Sequence, residues 1–335
     1  MKDRPFRRLQ TKADIFDEIS SDGDDYRHIR PSMGTYGSRR RLWKALCSTK
    51  PSRGASLCVL DIPSDISGIV TLDDLTLKAE FKTPGEHSCY ITLLEHQVVL
   101  SDYTSGTLSL FDLDAEGMPV GEPRAIRFEG SGPDTVRQTG PHIHSSWVSP
   151  DGKSIVVVDL GCDRIYRYSV VDGRINEDSQ EIFALPSGCG PRHCAFSHDG
   201  TKLYVATELS DEVLVYSFHK MTLLQRCLTN DSRPHGGGHI VLSPNGQYLY
   251  VSSRLENDGI AIFKVSSDGL IEKCGYKPTG SHPRHFTISP DGETLVCATR
   301  DSGTLEIFDI DHSTGCLRVK EQYKADKPVF VILKK

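Results

Sequence analysis

A tetrapeptide turn repeated four times at near-constant spacing, β-rich runs on both sides of each copy, and the absence of any helix-length pattern predict an all-β chain folded as a β-propeller. The turns are Ser149-Pro-Asp-Gly152, Ser197-His-Asp-Gly200, Ser243-Pro-Asn-Gly246 and Ser289-Pro-Asp-Gly292, at steps of 48, 46 and 46 residues. Steps of this length belong either to propeller blades or to helical arrays, and the flanking residues decide between them. Each turn has its own chemistry: Pro presets φ at the first central position, and Asp or Asn followed by Gly tolerates the rest.

The elements follow in chain order. Residues 1–50 carry an acidic cluster (Asp22, Asp24, Asp25) and a basic one (Arg39, Arg40, Arg41, Lys44), and they are expected to form a partly disordered, solvated extension. The propeller is expected over 51–335, and residues 1–30 are expected to be mobile and dispensable. Gly54–Leu60 and Thr76–Phe81 supply parts of one blade; Leu94–Ser101 and Thr107–Asp112 supply another that lacks the repeated turn.

Four clear blades come next. Their first strands are read at His144–Val148, His193–Phe196, His239–Leu242 and His285–Ile288. Their second strands are Ser154–Val158, Lys202–Ala206, Tyr248–Val251 and Thr294–Cys297, and their third strands are Arg164–Tyr168, Glu212–Tyr216, Gly259–Phe263 and Thr304–Phe308. Val, Ile, Tyr and Phe dominate these runs, and Gly, Asp and Asn separate them. Six blades are countable. Val329–Leu333 reads as a lone strand, expected to complete a blade begun in the N-terminal half and so to remove an exposed edge.

Composition bounds the partners. Hydrophobic residues at 37% and charged residues at 25% describe an ordinary globular chain and exclude wholesale disorder. With Lys plus Arg at 39 against Asp plus Glu at 45, the net charge of -6 argues against nucleic acid as a partner. Apolar runs such as Ile155–Val158 fall far short of the ~20 residues a membrane helix needs, so no membrane partner is expected. The opening Met1-Lys-Asp-Arg-Pro5 lacks the apolar stretch of an export signal, which leads to the expectation of a cytoplasmic protein whose ten cysteines are reduced. They form no Cys-x-x-Cys, and Cys189 and Cys194 have no matching ligand pair, so no metal site is expected.

Geometry then narrows the search for chemistry. The first two strands of each blade form a hairpin joined by the repeated turn. The start of the first strand and the end of the second therefore share the opposite rim. Gly140-Pro-His-Ile-His144, Gly190-Pro-Arg-His193 and His282-Pro-Arg-His285 fall at those starts; Asp102, Tyr103, Asp159, Glu208, Arg254 and Arg300 fall at those ends. Arginine forks bind phosphate or carboxylate, and a carboxylate or imidazole beside them can move a proton. His142 and His144 are two apart, which on a strand places them on one face. Asp102 and Asp159 are expected to orient loops instead.

Several of these segments resemble the seven-bladed propeller lactonases, the family that contains bacterial 6-phosphogluconolactonase and fungal carboxy-cis,cis-muconate cyclase. The resemblance rests on Arg137-Gln-Thr-Gly-Pro-His-Ile-His144, Val158-Asp-Leu-Gly-Cys-Asp-Arg164, Gly190-Pro-Arg-His193, Thr207-Glu-Leu-Ser210 and His282-Pro-Arg-His-Phe286, and it runs from about Arg53 to the C-terminus. It implies seven blades, the first truncated or irregular, with Met33-Gly-Thr-Tyr-Gly-Ser38 as a remnant of its opening strand. It also implies a channel-mouth site whose His, Arg, Glu and second Arg fall on His144, Arg192, Glu208 and Arg254. The segment around Arg254, Ser-Ser-Arg-Leu-Glu-Asn-Asp, departs from the family pattern, and Arg284 is the substitute for that second arginine.

The expected activity is hydrolysis of a phosphorylated sugar lactone of the pentose phosphate pathway. Glu208, His144 and Arg192 are the catalytic candidates, Arg254, Arg284 and His142 contact a small anionic substrate, and no cofactor takes part. Muconate cycloisomerisation on the same residues is one alternative, because carboxylate and phosphate recruit the same side chains. A non-catalytic propeller that binds partners through its rim is another.

Overall fold

The computed structural model describes residues 28–32, 43–50, 54–61, 76–232 and 235–331. These residues form six antiparallel sheets, each built from consecutive strands, in agreement with the six blades countable in the sequence. Blade 1 comprises His28–Ser32, Trp43–Lys50, Gly54–Asp61 and Thr76–Lys82; blade 2 comprises Ser88–Leu93, Gln97–Asp102, Thr107–Leu113 and Pro119–Arg127. Blade 3 holds Ile143–Val148, Ser154–Asp159, Arg164–Val171 and Glu181–Ala184, with the two-residue strand Arg174–Ile175 also paired to its third strand. Blade 4 runs from Pro191 to Leu228, blade 5 from Gly237 to Pro278 and blade 6 from Pro283 to Lys324.

Two expectations change at the chain ends. His28–Ser32 and Trp43–Lys50 pair in the first sheet, so the sheet begins before the boundary drawn at residue 51. Residues 1–27 and Met33–Ser38 lie outside the described residues. At the other end, 325–331 is in no strand. The lone C-terminal strand is therefore not formed in its described part. The Phe330 ring instead packs on His285 at 4.0 Å, and the Val331 N–H donates to His285 Nδ1 at 3.4 Å. Pro328 and the polar stretch before it supply neither the donors nor the alternation that a ladder requires.

Strand alternation builds the core. Along Ser154–Asp159, Ile155 and Val157 face the blade 2 side, where they join Val99, Leu108 and Leu110. Val156 and Val158 face the blade 4 side and meet Leu203, Val205 and Leu214. A strand buried on both faces accepts an unbroken apolar run, which explains Ile155–Val158. Five such clusters join the six blades in series. Burial falls off outward: the second strand of blade 4 is almost wholly buried, whereas its fourth strand, Thr222–Leu228, is mostly exposed.

The four repeated turns are alike in detail. Ser149, Ser197, Ser243 and Ser289 each donate a side-chain bond to the Asp or Asn two residues on, at 2.5–2.7 Å. Their glycines all have φ near +70°, between 68° and 79°, where only Gly is unstrained. These turns hold one rim rigid and leave the other for chemistry.

Candidate active site

Pairing registers place the predicted residues on one rim, as the hairpin geometry requires. Ile143 faces Asp159, Pro191 faces Thr207, Gly237 faces Ser253 and Pro283 faces Thr299. Glu208 and Arg254 come directly after the second strands of blades 4 and 5, where their backbone N–H groups donate to Gly190 O and Gly236 O.

A feature invisible to simple alternation aims the side chains. In blades 2 to 6 the pairing register slips within the first three or four residues of the first strand. The slip leaves Cys89, His144, Arg192 and Arg284 opposite no single partner in blades 2, 3, 4 and 6, and Gly238 lies within the wider slip of blade 5. A bulge of this kind re-aims one side chain and sharpens the local twist. Pro191 and Pro283 precede two of these positions, at the start of their strands, where a missing N–H is tolerated.

The residues delivered in this way converge. Cys89, Tyr103, Arg137, His144, Glu208, Arg254 and Arg284 line one pocket. Glu208 is its electrostatic centre. Its Oε2 accepts from Arg192 Nε at 2.9 Å and from Arg254 Nη2 at 3.0 Å, while Oε1 accepts from Arg137 Nη2 at 2.5 Å. Burial works to raise the Glu208 pKa, but Arg254, Arg192 and Arg137 outweigh it and hold the carboxyl well below its ordinary range. Burial, reinforced by Arg254, pushes Arg192 down to about 9, which still leaves it charged at neutral pH. Burial also lifts the Cys89 thiol to about 12, so it stays protonated and is no nucleophile.

A run of three glycines seats two of the arginines. Arg254 donates from Nε to Gly236 O at 2.9 Å and from Nη2 to Gly237 O at 2.8 Å, and Arg192 Nη1 donates to Gly238 O at 2.9 Å. A Cβ at Gly237 would lie 1.9 Å from Thr207 O, a backbone atom next to Glu208, so this close approach requires glycine.

Beneath the pocket runs a row of rings. His193 and His239 meet Nδ1 to Nδ1 at 2.7 Å, so one of these nitrogens carries the proton and the other accepts it. His239 stacks on His285 at 4.1 Å, and His144 meets His193 edge-on at 5.1 Å. Burial, together with Arg192, depresses the His193 pKa well below the usual imidazole value.

Of the predicted residues, His144, Glu208, Arg254 and Arg284 line the pocket, and Arg192 supports it from behind. Both alternatives for the second arginine are therefore present. His142 lies outside the lining. It precedes the strand, so the expected shared face with His144 does not form; its ring stacks flat on Tyr103 at 4.4 Å, and its Nδ1 contacts Tyr103 O at 2.8 Å. Arg300 also lies apart, paired with Asp301. Asp159 accepts the N–H groups of His142, Gly161 and Cys162 and so orients a loop, as expected, whereas Asp102 accepts the hydroxyls of Ser88, Thr107 and Ser109 and ties the first and third strands of blade 2 to the second instead of a loop. Arg137 and Cys89 were missed. Arg137 opens the same segment that ends in His144, and that adjacency was the available signal.

Comparison with known proteins places the whole fold in a family. A curated relative from Formosa agariphila, named 6-phosphogluconolactonase, is 34% identical over 231 residues, which span 66% of this chain and 65% of that one, just under two thirds of the relative's length. A Bacillus subtilis relative of the same name is 29% identical over 70% of this chain and 69% of its own. Among solved structures, a Bacteroides uniformis protein for which 6-phosphogluconolactonase activity is proposed superimposes with a TM-score of 0.78 at 30% identity, covering 92% of this chain and 99% of that one. A Bacteroides fragilis counterpart gives 0.77 at 28% identity, covering 93% and 98%. The family model described as "Lactonase, 7-bladed beta-propeller" matches residues 68–333, and the chain belongs to that family.

Proposed function

We propose that this protein hydrolyses a phosphorylated sugar lactone, 6-phosphogluconolactone, to the open acid. One observation carries the reading: an ionised carboxylate and several arginines share a pocket with a histidine in a member of the lactonase family. The names of the Formosa agariphila and Bacillus subtilis relatives support the choice of substrate.

In this mechanism the lactone carbonyl lies toward Arg254 and Arg284, whose guanidinium groups stabilise the oxyanion that forms at C1. Water attacks C1 and gives up its proton to a base. Glu208 and His144 are the two acceptors within the site. His144 is the stronger, because both Glu208 oxygens are occupied by guanidinium groups that disfavour its protonation. Glu208 keeps the arginines charged and in place. The tetrahedral intermediate collapses by breaking the C1–O5 bond, and the proton taken up by His144 passes to O5. Products are a C1 carboxylic acid, which ionises at neutral pH, and a C5 hydroxyl.

A cytoplasmic location fits the eight described cysteines, all of them unpaired thiols. No described helix is long and apolar enough to cross a membrane. The test is an assay with freshly generated 6-phosphogluconolactone, corrected for spontaneous opening. Accelerated release of 6-phosphogluconate is expected; a rate equal to the spontaneous one overturns the proposal.

A further inference from the structure

We infer that Arg137 is the specificity-determining residue of this site, recognising the substrate's phosphate at the pocket mouth while the buried arginines serve the lactone end. This rests on the lactonase reading above and deepens it.

The arginines around Glu208 fall into two kinds. The side chains of Arg192 and Arg254 are 1% and 5% exposed, and both are committed to backbone carbonyls of the glycine run as well as to Glu208. They are fixed parts of the frame. The Arg137 side chain is 38% exposed and lies on the loop between blades 2 and 3. Only its Nη2 is engaged, by Glu208 Oε1 and by Tyr103 Oη at 3.3 Å; its Nη1 and Nε make no bond among the described residues. Arg137 is therefore held in the pocket by one nitrogen and keeps donors for an incoming anion.

The loop is built to hold that arm in place. Asp134 Oδ1 accepts the N–H groups of Val136 and Arg137, both at 2.9 Å. The next residue, Gln138, is fully buried, and its amide donates to Leu160 O and Asp163 Oδ1, both at 2.8 Å. A loop secured on both sides of Arg137 presents the guanidinium from a fixed base.

Substrate chemistry requires two such places. In the phosphorylated lactone the path from C1 to phosphorus runs through O5, C5, C6 and the ester oxygen, so the carbonyl and the phosphate fall to different arginines around Glu208. A phosphate is strongly hydrated, and burying it fully is costly. The partly exposed arginine suits it, and the buried arginines suit the less polar lactone ring. The phosphate adds charge-assisted hydrogen bonds that the unphosphorylated lactone cannot make.

The experiment compares 6-phosphogluconolactone with glucono-δ-lactone in the wild-type enzyme and in Arg137→Gln, with thermal unfolding as the check on folding. Inorganic phosphate serves as a competing probe. The expected result is a fall of roughly 10–100-fold in kcat/KM for the phosphorylated lactone, mostly through KM, from loss of hydrogen bonds to a charged group. Turnover of glucono-δ-lactone should fall by a clearly smaller factor, so that the preference for the phosphorylated lactone narrows, and inhibition by phosphate should be lost. Equal losses on both lactones would overturn the inference and make Arg137 a positioning residue for Glu208. An unchanged preference for the phosphorylated lactone would also overturn it, with the hydrolase reading intact. A wild-type enzyme inactive on both lactones would overturn the hydrolase reading first, and this inference with it.

Discussion

The two ends of each inner hairpin follow opposite rules. At the turn end, four blades repeat one arrangement almost atom for atom: a serine hydroxyl on an Asp or Asn oxygen, and a glycine at positive φ. At the other end the backbone slips register in every blade from 2 to 6, yet the residues carried there are Cys89, His144, Arg192, Gly238 and Arg284. Where side chains repeat, they serve the chain's own geometry. Where the backbone device repeats and the residues differ, they build the site: Arg192 and Gly238 belong to its frame, His144 and Arg284 to its lining.

The sharpest test of that contrast is His144→Gln. Loss of a general base lowers turnover by roughly 10²–10⁴-fold, and the variant should unfold at the wild-type temperature. A fully active variant would transfer water activation to Glu208.

Glu208→Gln should break the site differently, because Arg192 and Arg254 lose a buried counter-charge. Removing one partner of a buried ion pair costs about 3–5 kcal/mol, so turnover and denaturant midpoint should fall together. A variant that keeps full stability would show that the arginines do not depend on Glu208.

The ring row adds a pH dependence. His193 has a folded pKa below its unfolded value, so the unfolded chain binds the extra proton and stability falls as pH drops below about 6.5. One such group contributes a slope of up to ~1.4 kcal/mol per pH unit. Denaturant titrations between pH 7 and 5 should show a shallower slope in His193→Gln. An unchanged slope would place the acid sensitivity elsewhere.

The smallest effect belongs to the turn end. Asp291→Asn should leave activity within about twofold of wild type, as for surface changes that keep their hydrogen bonds. Blade 5 already carries Asn245 at this position, accepting from the Ser243 hydroxyl and the Gln247 N–H as Asp291 accepts from Ser289 and Glu293. A large loss would mean that the two rims communicate.

Much of this was legible in the sequence because turn chemistry and strand alternation are local. The repeated turns set the hairpins, the hairpins set the rim, and the rim put Glu208 and Arg254 together without any knowledge of packing. The bulges were not legible, since a register slip depends on the partner strand; only Pro191 and Pro283 marked them. Arg137 escaped for another reason. Its loop has no strand pattern, and its place in the site depends on Gln138 being buried against Leu160 and Asp163, a tertiary fact. The segment at Val329–Leu333 shows the reverse error, since an apolar run satisfies the strand pattern, yet its described part packs Phe330 onto a histidine ring.

Each blade from 2 to 6 supplies a different member of the site: Cys89, His144, Glu208, Arg254 and Arg284. No fragment of the chain shorter than this five-blade span can carry the complete constellation. Cutting the chain between blades 4 and 5 would part Glu208 from Arg254 in covalent terms only, because the apolar seam between those blades, with Ala195, Val213, Ile240 and Leu249, could rejoin the halves. Catalysis in such a two-piece protein would report reassembly of the seam itself, making activity a direct gauge of how well neighbouring blades find one another.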